Sequence, residues 1–181
     1  VSAQIGRMRI VPGRAQRKFK VKMASLVKIP VAVVIERREV VQGRWRVPAW
    51  AAVSILPGGH LTKKPAGSTL IRQDDEAEQY LISGLKLELY RDSAESYWYN
   101  LTGENAALYV ICHENPEGGL DPFLVTADHD EAMAGLEGDA QVFSTPISPE
   151  IYHQIEQFIL EHYVPEAPRK RKRKNWSDKH K

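Results

Sequence analysis

The sequence predicts an α+β domain: an antiparallel β-sheet meander, curled toward a barrel, with a C-terminal helix packed on it and a basic disordered arm at each end. Three observations predict it. Residues 29–59 are apolar and rich in β-branched and aromatic side chains, cut once by the polar turn Gln42-Gly43, which is the pattern of a buried β-hairpin. Short alternating segments separated by Gly, Pro, Asn and Asp continue through residue 126. A single long amphipathic helix pattern then closes the folded part.

The first strand places Val31, Val33 and Ile35 on one face and Ala32 and Val34 on the other. Charge returns at Glu36, Arg37, Arg38 and Glu39, where the strand is expected to emerge into water. The second strand spans roughly Trp45 to Leu56; Pro48 lacks a backbone donor and so belongs at a strand start, an edge or a bulge. Pro57-Gly58-Gly59 stops the hairpin. Pro65, Gly67 and Ser68 then read as loop, with a short strand at Ser68–Arg72. Two readings of the next segment stay open: a helix Glu76–Ile82 capped by Asp74 or Asp75, or a strand at Gln79–Ile82.

Four strands are expected beyond it. Leu85, Leu87 and Leu89 alternate with Lys86, Glu88 and Tyr90; Tyr97, Tyr99 and Leu101 alternate with Trp98 and Asn100; Ala107–His113 is apolar on both faces; Phe123–Thr126 follows. Turn residues join them, which reads as an antiparallel meander. Asp128 or Asp130 caps a helix Glu131–Leu136 ended by Gly138, and Gln141–Ser144 is a further short strand. Ser148-Pro149-Glu150 opens the strongest helix, striped by Ile151, Ile155, Phe158, Ile159 and Tyr163 and ended by Pro165. Three segments result: a basic arm over 1–27, one domain over 28–165 and a basic tail over 166–181. The chain opens on Val1, and Met23-Ala-Ser-Leu stands just before the first strand, so residues 1–22 are either a true arm or lie upstream of the translation start.

The net charge of +2 conceals segregation. Residues 1–35 carry 8 basic and no acidic side chains, 36–164 carry 9 basic and 21 acidic, and 165–181 carry 8 basic and 2 acidic. An acidic globule with basic arms points to arm-mediated contact with a partner rather than to a broad nucleic-acid surface. The single cysteine, Cys112, excludes an internal disulfide and a thiolate zinc cluster, and fits a cytoplasmic protein. No apolar run reaches the roughly 18–20 residues that span a bilayer as a helix.

No phosphate-binding loop motif occurs; Pro57-Gly58-Gly59-His60 with Lys63 and Lys64 matches no known spacing. The six histidines form no close pair of the kind that seeds a metal site. Cys112 and His113 are neighbours in a strand and therefore point to opposite faces, so they make no catalytic pair. The expectation is a non-catalytic protein without cofactor or metal. Glu36, Arg37 and Arg38 are candidate partner-binding residues, although a solvated strand end also explains them. Among the aromatic residues Trp45, Trp50, Tyr97, Trp98 and Tyr99, core packing is expected for most; Trp98 and Tyr109 are the candidates for an exposed contact. In the tail, Arg169, Lys170, Arg171, Lys172, Arg173 and Lys174, with Trp176 behind them, are candidates for binding anions by counterion release and stacking.

The blocks IPVAVVIERREV, RWRVPAWAAVSILPG, LKLELYRDSAESYWYNL, LYVICHE and PFLVTADHDEA, the late helix and the tail KRKRK together resemble a known family. It is an uncharacterised proteobacterial domain family whose genes often lie near those for formate dehydrogenase and other molybdenum enzymes. The resemblance implies a cytoplasmic accessory protein acting by protein binding in the assembly or regulation of a molybdenum-dependent formate dehydrogenase, with a molybdoenzyme subunit or maturation factor as partner. It carries over no catalytic residues. The alternative is a module that binds nucleic acid or an anionic surface through the basic tail. Some relatives of the family are labelled as proteins of molybdopterin-guanine dinucleotide synthesis, but the glycine-rich loop that such a nucleotidyltransferase needs after its first strand is replaced here by ERREV.

Overall fold

The structure, a computed structural model, describes residues 27–58, 67–116, 118–138 and 140–165. Among these, seven strands and three helices run in the order β1 (Val27–Gln42), β2 (Trp45–Pro57), β3 (Gly67–Gln73), β4 (Ala77–Leu89), α1 (Ala94–Thr102), β5 (Ala107–Glu114), β6 (Leu120–Thr126), α2 (His129–Leu136), β7 (Gln141–Pro146) and α3 (Pro149–His162). The strands form one sheet, ordered β2-β1-β4-β6-β5-β7, with β3 on the second edge of β4. β7 comes back alongside β2 without hydrogen-bonding to it, so the sheet is nearly a closed barrel.

β1 and β2 pair as the sequence predicts, from Val31 opposite Pro57 out to Gln42 opposite Trp45. The turn between them is tight, and Gly43 takes the positive φ of 64° that such a turn needs. One residue of β2, Val53, is bulged where the register shifts opposite Val34 and Ile35. The expectation that both strands are heavily buried holds only for the first half of β1. Val31 to Ile35 are buried on both faces, whereas in β2 Ile55 alone is buried.

β4 is the hinge of the sheet. One of its edges pairs with β1 along almost its whole length. The other is divided: Glu78 to Ser83 pair with β3, and Leu87 meets Val125 of β6 in parallel. Between these two partners lies Gly84, whose φ of 90° no β-branched or bulky residue would adopt at low cost. The β1–β4 register shifts at this same place, so the strand bends and sends its two halves to different neighbours.

The sheet is therefore mixed, not purely antiparallel, and the four-strand meander is corrected. β4 and β5 are not neighbours, because β6 lies between them. The cause is the segment Ser96–Leu101, which forms helix α1 and not a strand. Its apolar spacing had two readings: Tyr97, Tyr99 and Leu101 alternate, but Ala94, Tyr97 and Leu101 recur at helical intervals, and these three are the buried ones. Tyr99 points out and is 60% exposed. A helix here carries the chain across the end of the sheet, so that β6 can join β4 in parallel. The helix reading of Glu76–Ile82 is also corrected. That segment is the start of β4, and Asp74 caps a tight turn, accepting from the backbone N–H groups of Glu76 and Ala77 at 3.0 and 2.9 Å.

The core lies between the concave side of the sheet and α1 with α3. Ile29, Val31, Val33 and Ile35 of β1, Leu87 and Leu89 of β4, and Leu108, Val110 and Cys112 of β5 meet Tyr97 of α1 and Ile151, Ile155 and Phe158 of α3. α3 forms where the capping pattern and apolar stripe place it; Ser148 stands at the N-cap, although its hydroxyl makes no cap bond and is buried without a partner among the described residues. α2 covers the other face: Asp128 caps it, and Gly135 sits so close to Ile111 that a Cβ there would be 3.1 Å away.

Two polar residues, half-buried Asn100 and buried Asp128, lock these layers. Asn100 of α1 donates to the carbonyls of Ala107 and Ala127 at 2.7 and 2.8 Å and accepts from the Ala107 N–H at 3.1 Å, tying the helix to β5 and to the end of β6. Asp128 accepts from the Ser96 hydroxyl at 2.8 Å while capping α2, which joins α1 to α2. Among the described residues no helix is long and apolar enough to cross a membrane.

Candidate functional site

β1 has 16 residues, so it is about 50 Å long, more than the barrel can cover. Its second half, Glu36 to Gln42, continues past the core with β2 on one side and the beginning of β4 and then β3 on the other. These four strands form an extension whose order is β2-β1-β4-β3. Neither α1, α2 nor α3 reaches it with a substantial contact. Backbone pairing along the four strands holds it, and a polar side-chain ladder runs along each face.

The alternation of β1 divides the candidate residues between those faces. On one face Arg38 donates to Glu36 at 2.6 Å, and Gln79 of β4 donates to the same carboxylate at 2.8 Å. On the other face Glu78 collects three donors: Arg37 at 3.3 Å, the Tyr80 hydroxyl at 2.8 Å and Gln73 of β3 at 3.1 Å. The Tyr80 hydrogen bond, with Arg37 behind it, holds the Glu78 carboxyl below its usual range. The same bond pushes the Tyr80 hydroxyl up. Next to this ladder Trp50 and Tyr80 pack with ring centroids 6.5 Å apart, bridging from β2 to β4 above Ile35. Arg46 pairs loosely with Glu39 at 3.6 Å, and Arg72 with Asp74 at 2.8 Å.

Around the ladders the extension exposes apolar side chains. Trp45 is 76% exposed and Val41 71%, both at the hairpin tip, and Leu70 and Ile71 of β3 are about half exposed. All seven residues of β3 are exposed. Core packing, expected for most of the aromatic residues, fails for Trp45 and Tyr99, holds fully for Tyr97, and holds in part for Trp50 and Trp98. A shallow groove open to solvent is lined by Arg37, Arg38, Glu39 and residues 74–78. Its walls are charged, and it lacks the enclosed apolar lining of a small-molecule pocket.

Glu36, Arg37 and Arg38 thus all belong to the extension, Glu36 and Arg38 on one face and Arg37 on the other, but Trp98 and Tyr109 do not join them. Trp98 lies on α1, half-buried, with its ring 4.9 Å from Tyr99 and 5.7 Å from Tyr163. Tyr109 is on β5, half-buried, its ring 5.8 Å from that of His129, and burial pushes its hydroxyl up. His113 and Cys112 point to opposite faces of β5 as expected: His113 stacks on Phe123 at 4.1 Å, and Cys112 is fully buried, its thiol pushed up to about 12. Among the described residues no group of three or more His, Cys, Asp or Glu side chains is placed to hold a metal ion. The tail candidates Arg169 to Lys174 and Trp176, and the turn residues His60, Lys63 and Lys64, lie outside the described residues.

Sequence reasoning missed Glu78, Gln79 and Tyr80, which complete the ladders. The alternation of the strand reading at Gln79–Ile82 was the available signal, and the helix reading competed with it. The family model described as "Protein of unknown function (DUF3305)" matches residues 30–174. The chain belongs to this family. The DUF3305 match begins in β1 and continues nine residues past Pro165, so it takes in the whole run Arg169–Lys174. No curated protein and no solved structure matches the chain.

Proposed function

We propose that this DUF3305 protein is a non-catalytic accessory factor that binds a protein partner through the β1–β4 extension. The single observation that carries the reading is the extension itself: a four-stranded sheet beyond the core, exposing Val41, Trp45, Leu70 and Ile71 beside ordered Arg–Glu ladders. Exposed aromatic and aliphatic side chains surrounded by arginine and carboxylate groups are the composition of a protein-binding patch. β3, an outermost strand exposed along its length, adds an edge that can accept an extended segment of the partner. The partner class is a subunit or maturation factor of a molybdenum-dependent formate dehydrogenase in the cytoplasm. The family resemblance of the sequence supports that identity.

The test is co-purification of the full chain from a native host grown under conditions that induce molybdenum enzymes, with nuclease present. The expected result is stoichiometric recovery of a dehydrogenase subunit or maturation factor, lost on the double substitution Trp45→Ala with Leu70→Lys. Recovery that persists in the double variant would remove the extension from the reading.

A second reading rests on the basic run Arg169–Lys174 with Trp176: binding to nucleic acid or an anionic surface. Replacing the six basic residues by Gln separates the two. It leaves partner recovery through the extension intact and abolishes any salt-sensitive recovery of nucleic acid or lipid.

A further inference from the structure

Between Arg91 and Arg169 the chain contains 15 aspartates and glutamates and not one lysine or arginine. That interval folds as α1, β5, β6, α2, β7 and α3, so the helix-covered half of the domain carries charge of one sign. From Val27 to Pro168 the lysines and arginines all lie at or before Arg91, just past the end of β4. A field this one-sided disfavours compaction and is kept where it recruits an opposite charge.

The layer made by α1 and α3 shows which charge it fits. Both helices pack into the same core through Ala94, Tyr97, Leu101, Ile151, Ile155 and Phe158, which leaves their opposite sides facing out together. Those outer sides present Glu95 and Tyr99 on α1 and Glu156, Leu160 and Glu161 on α3. Leu160 is 78% exposed. Among the described residues, Glu156 and Glu161 have only histidines as ion-pair neighbours, His153 at 3.6 Å and His162 at 3.8 Å. The surface therefore combines carboxylates with exposed apolar side chains.

We infer that this outer face of α1 and α3 is the docking surface for the chain's own basic segment, Arg169–Lys174, with Trp176 set against its exposed apolar side chains. Composition matches on both counts: six consecutive cations meet the carboxylates, and an indole follows two residues later. Reach matches as well. The basic run starts four residues beyond Pro165 and ends nine beyond it, a span of about 13–30 Å from that point when extended. α3 is 14 residues long, about 21 Å, so the run can lie back along the whole helix. The chain leaves at the C-terminal end of α3, where the helix dipole adds to the attraction for cations. The family match extends through residue 174, so the run belongs to the same unit as the face it covers. This contact is separate from the extension and stands or falls independently of the partner proposed there.

The experiment uses the full chain. A 1:1 mixture of isotopically light and heavy protein is treated with a carbodiimide, which joins lysine amines to carboxylates, at about 20 and about 500 mM salt, conditions on either side of strong screening. The expected product links Lys170, Lys172 or Lys174 to Glu95, Glu156 or Glu161 within molecules of one isotopic type, with the yield falling at high salt. Links spread equally over the carboxylates of β1 to β4, or linked peptides of which about half join a light to a heavy molecule, would overturn it; the second would place the tail on another copy. Limited trypsin cleavage gives an independent reading. Glu95→Gln, Glu156→Gln and Glu161→Gln together are expected to speed cleavage within 169–174 at low salt by roughly fivefold or more, three exposed ion pairs being lost. An unchanged rate would overturn the inference.

Discussion

The two halves of β1 have the same backbone and nearly the same length, yet they are held by different forces. From Val27 to Ile35 the strand is fixed by burial: Val31, Ala32, Val33, Val34 and Ile35 are all buried, and Val31, Val33 and Ile35 join the core shared with α1 and α3. From Glu36 to Gln42 no helix among the described residues covers it, and backbone pairing remains, flanked by hydrogen-bonded side chains of β4 and β3. The difference teaches what each half can be used for. Apolar burial contributes a few kcal/mol per large side chain but forbids contact with anything else. Exposed ion pairs contribute little to stability and leave both their charges and their neighbours free for a partner.

The comparison breaks most visibly in the core. Ile155 is fully buried between α3 and the sheet, and Ile155→Ala removes its contacts without a replacement. We expect a loss of about 2–5 kcal/mol, which lowers the melting temperature by roughly 10 °C, measured by circular dichroism or calorimetry. A shift under about 2 °C would mean that α3 is not a pillar of the core. Asn100→Ala comes next. It strips the Ala107 N–H and the Ala107 and Ala127 carbonyls of their side-chain partner, and about 2–3 kcal/mol is expected from leaving such groups unsatisfied. Because those bonds join α1 to both β5 and β6, hydrogen exchange should accelerate in all three elements together, not in α1 alone.

Much of this half was legible in the sequence. Capping chemistry at Asp128 and at Ser148-Pro149, and the stripe Ile151, Ile155, Phe158 and Ile159, located α2 and α3, because local signals and tertiary burial agree there. The hairpin Gln42-Gly43 was legible for the same reason. α1 was not. Over Ser96–Leu101 the periods of 2 and 3.6 both fit six residues, and what decides between them is the pocket between α3 and the sheet into which Tyr97 goes. Misreading that helix cost the topology as well, since the parallel β4–β6 pair depends on the crossing that α1 makes. At the candidate site the Glu36–Arg38 block was readable, but its partners Glu78 and Gln79 are 41 and 43 positions away, and no local pattern reports a cross-strand ladder.

Cys112 tests the buried half from the inside. Burial pushes its thiol from 9.0 up to about 12. The unfolded chain releases this proton first, so the contribution of Cys112 to stability is complete below about pH 9 and is lost as pH rises from there toward 12. Below that window the native thiol should resist an aromatic disulfide reagent at pH 8 and react only on unfolding. Rapid reaction of the native protein would show that the core opens locally around β5. Cys112→Ser would leave a hydroxyl in the same apolar surroundings and is expected to cost about 1–3 kcal/mol for want of a hydrogen-bond partner.

The smallest effect on stability belongs to the extension, and there the comparison is sharpest. Glu78→Gln keeps the hydrogen bond from Tyr80 and removes the charge that Arg37 and Gln73 face. Arg37 is 40% exposed and Glu78 25%, so water screens the lost pair and the melting temperature at pH 7 should stay within error of the parent. The acid limb should change. In the parent the carboxyl of Glu78 lies below its ordinary 4.5, so its stabilising contribution is present above that value and is lost as pH falls through the lowered one. Glu78→Gln has nothing to lose there, and its acid unfolding curve should be shallower. Partner recovery should respond in the opposite way, falling sharply at pH 7, where stability is unmoved, because Arg37 is then released from the geometry in which it borders Trp50 and Tyr80. If Glu78→Gln lowered melting and recovery together, the extension would be stabilised by the same forces as the core, and its ladders would no longer distinguish a surface kept for binding.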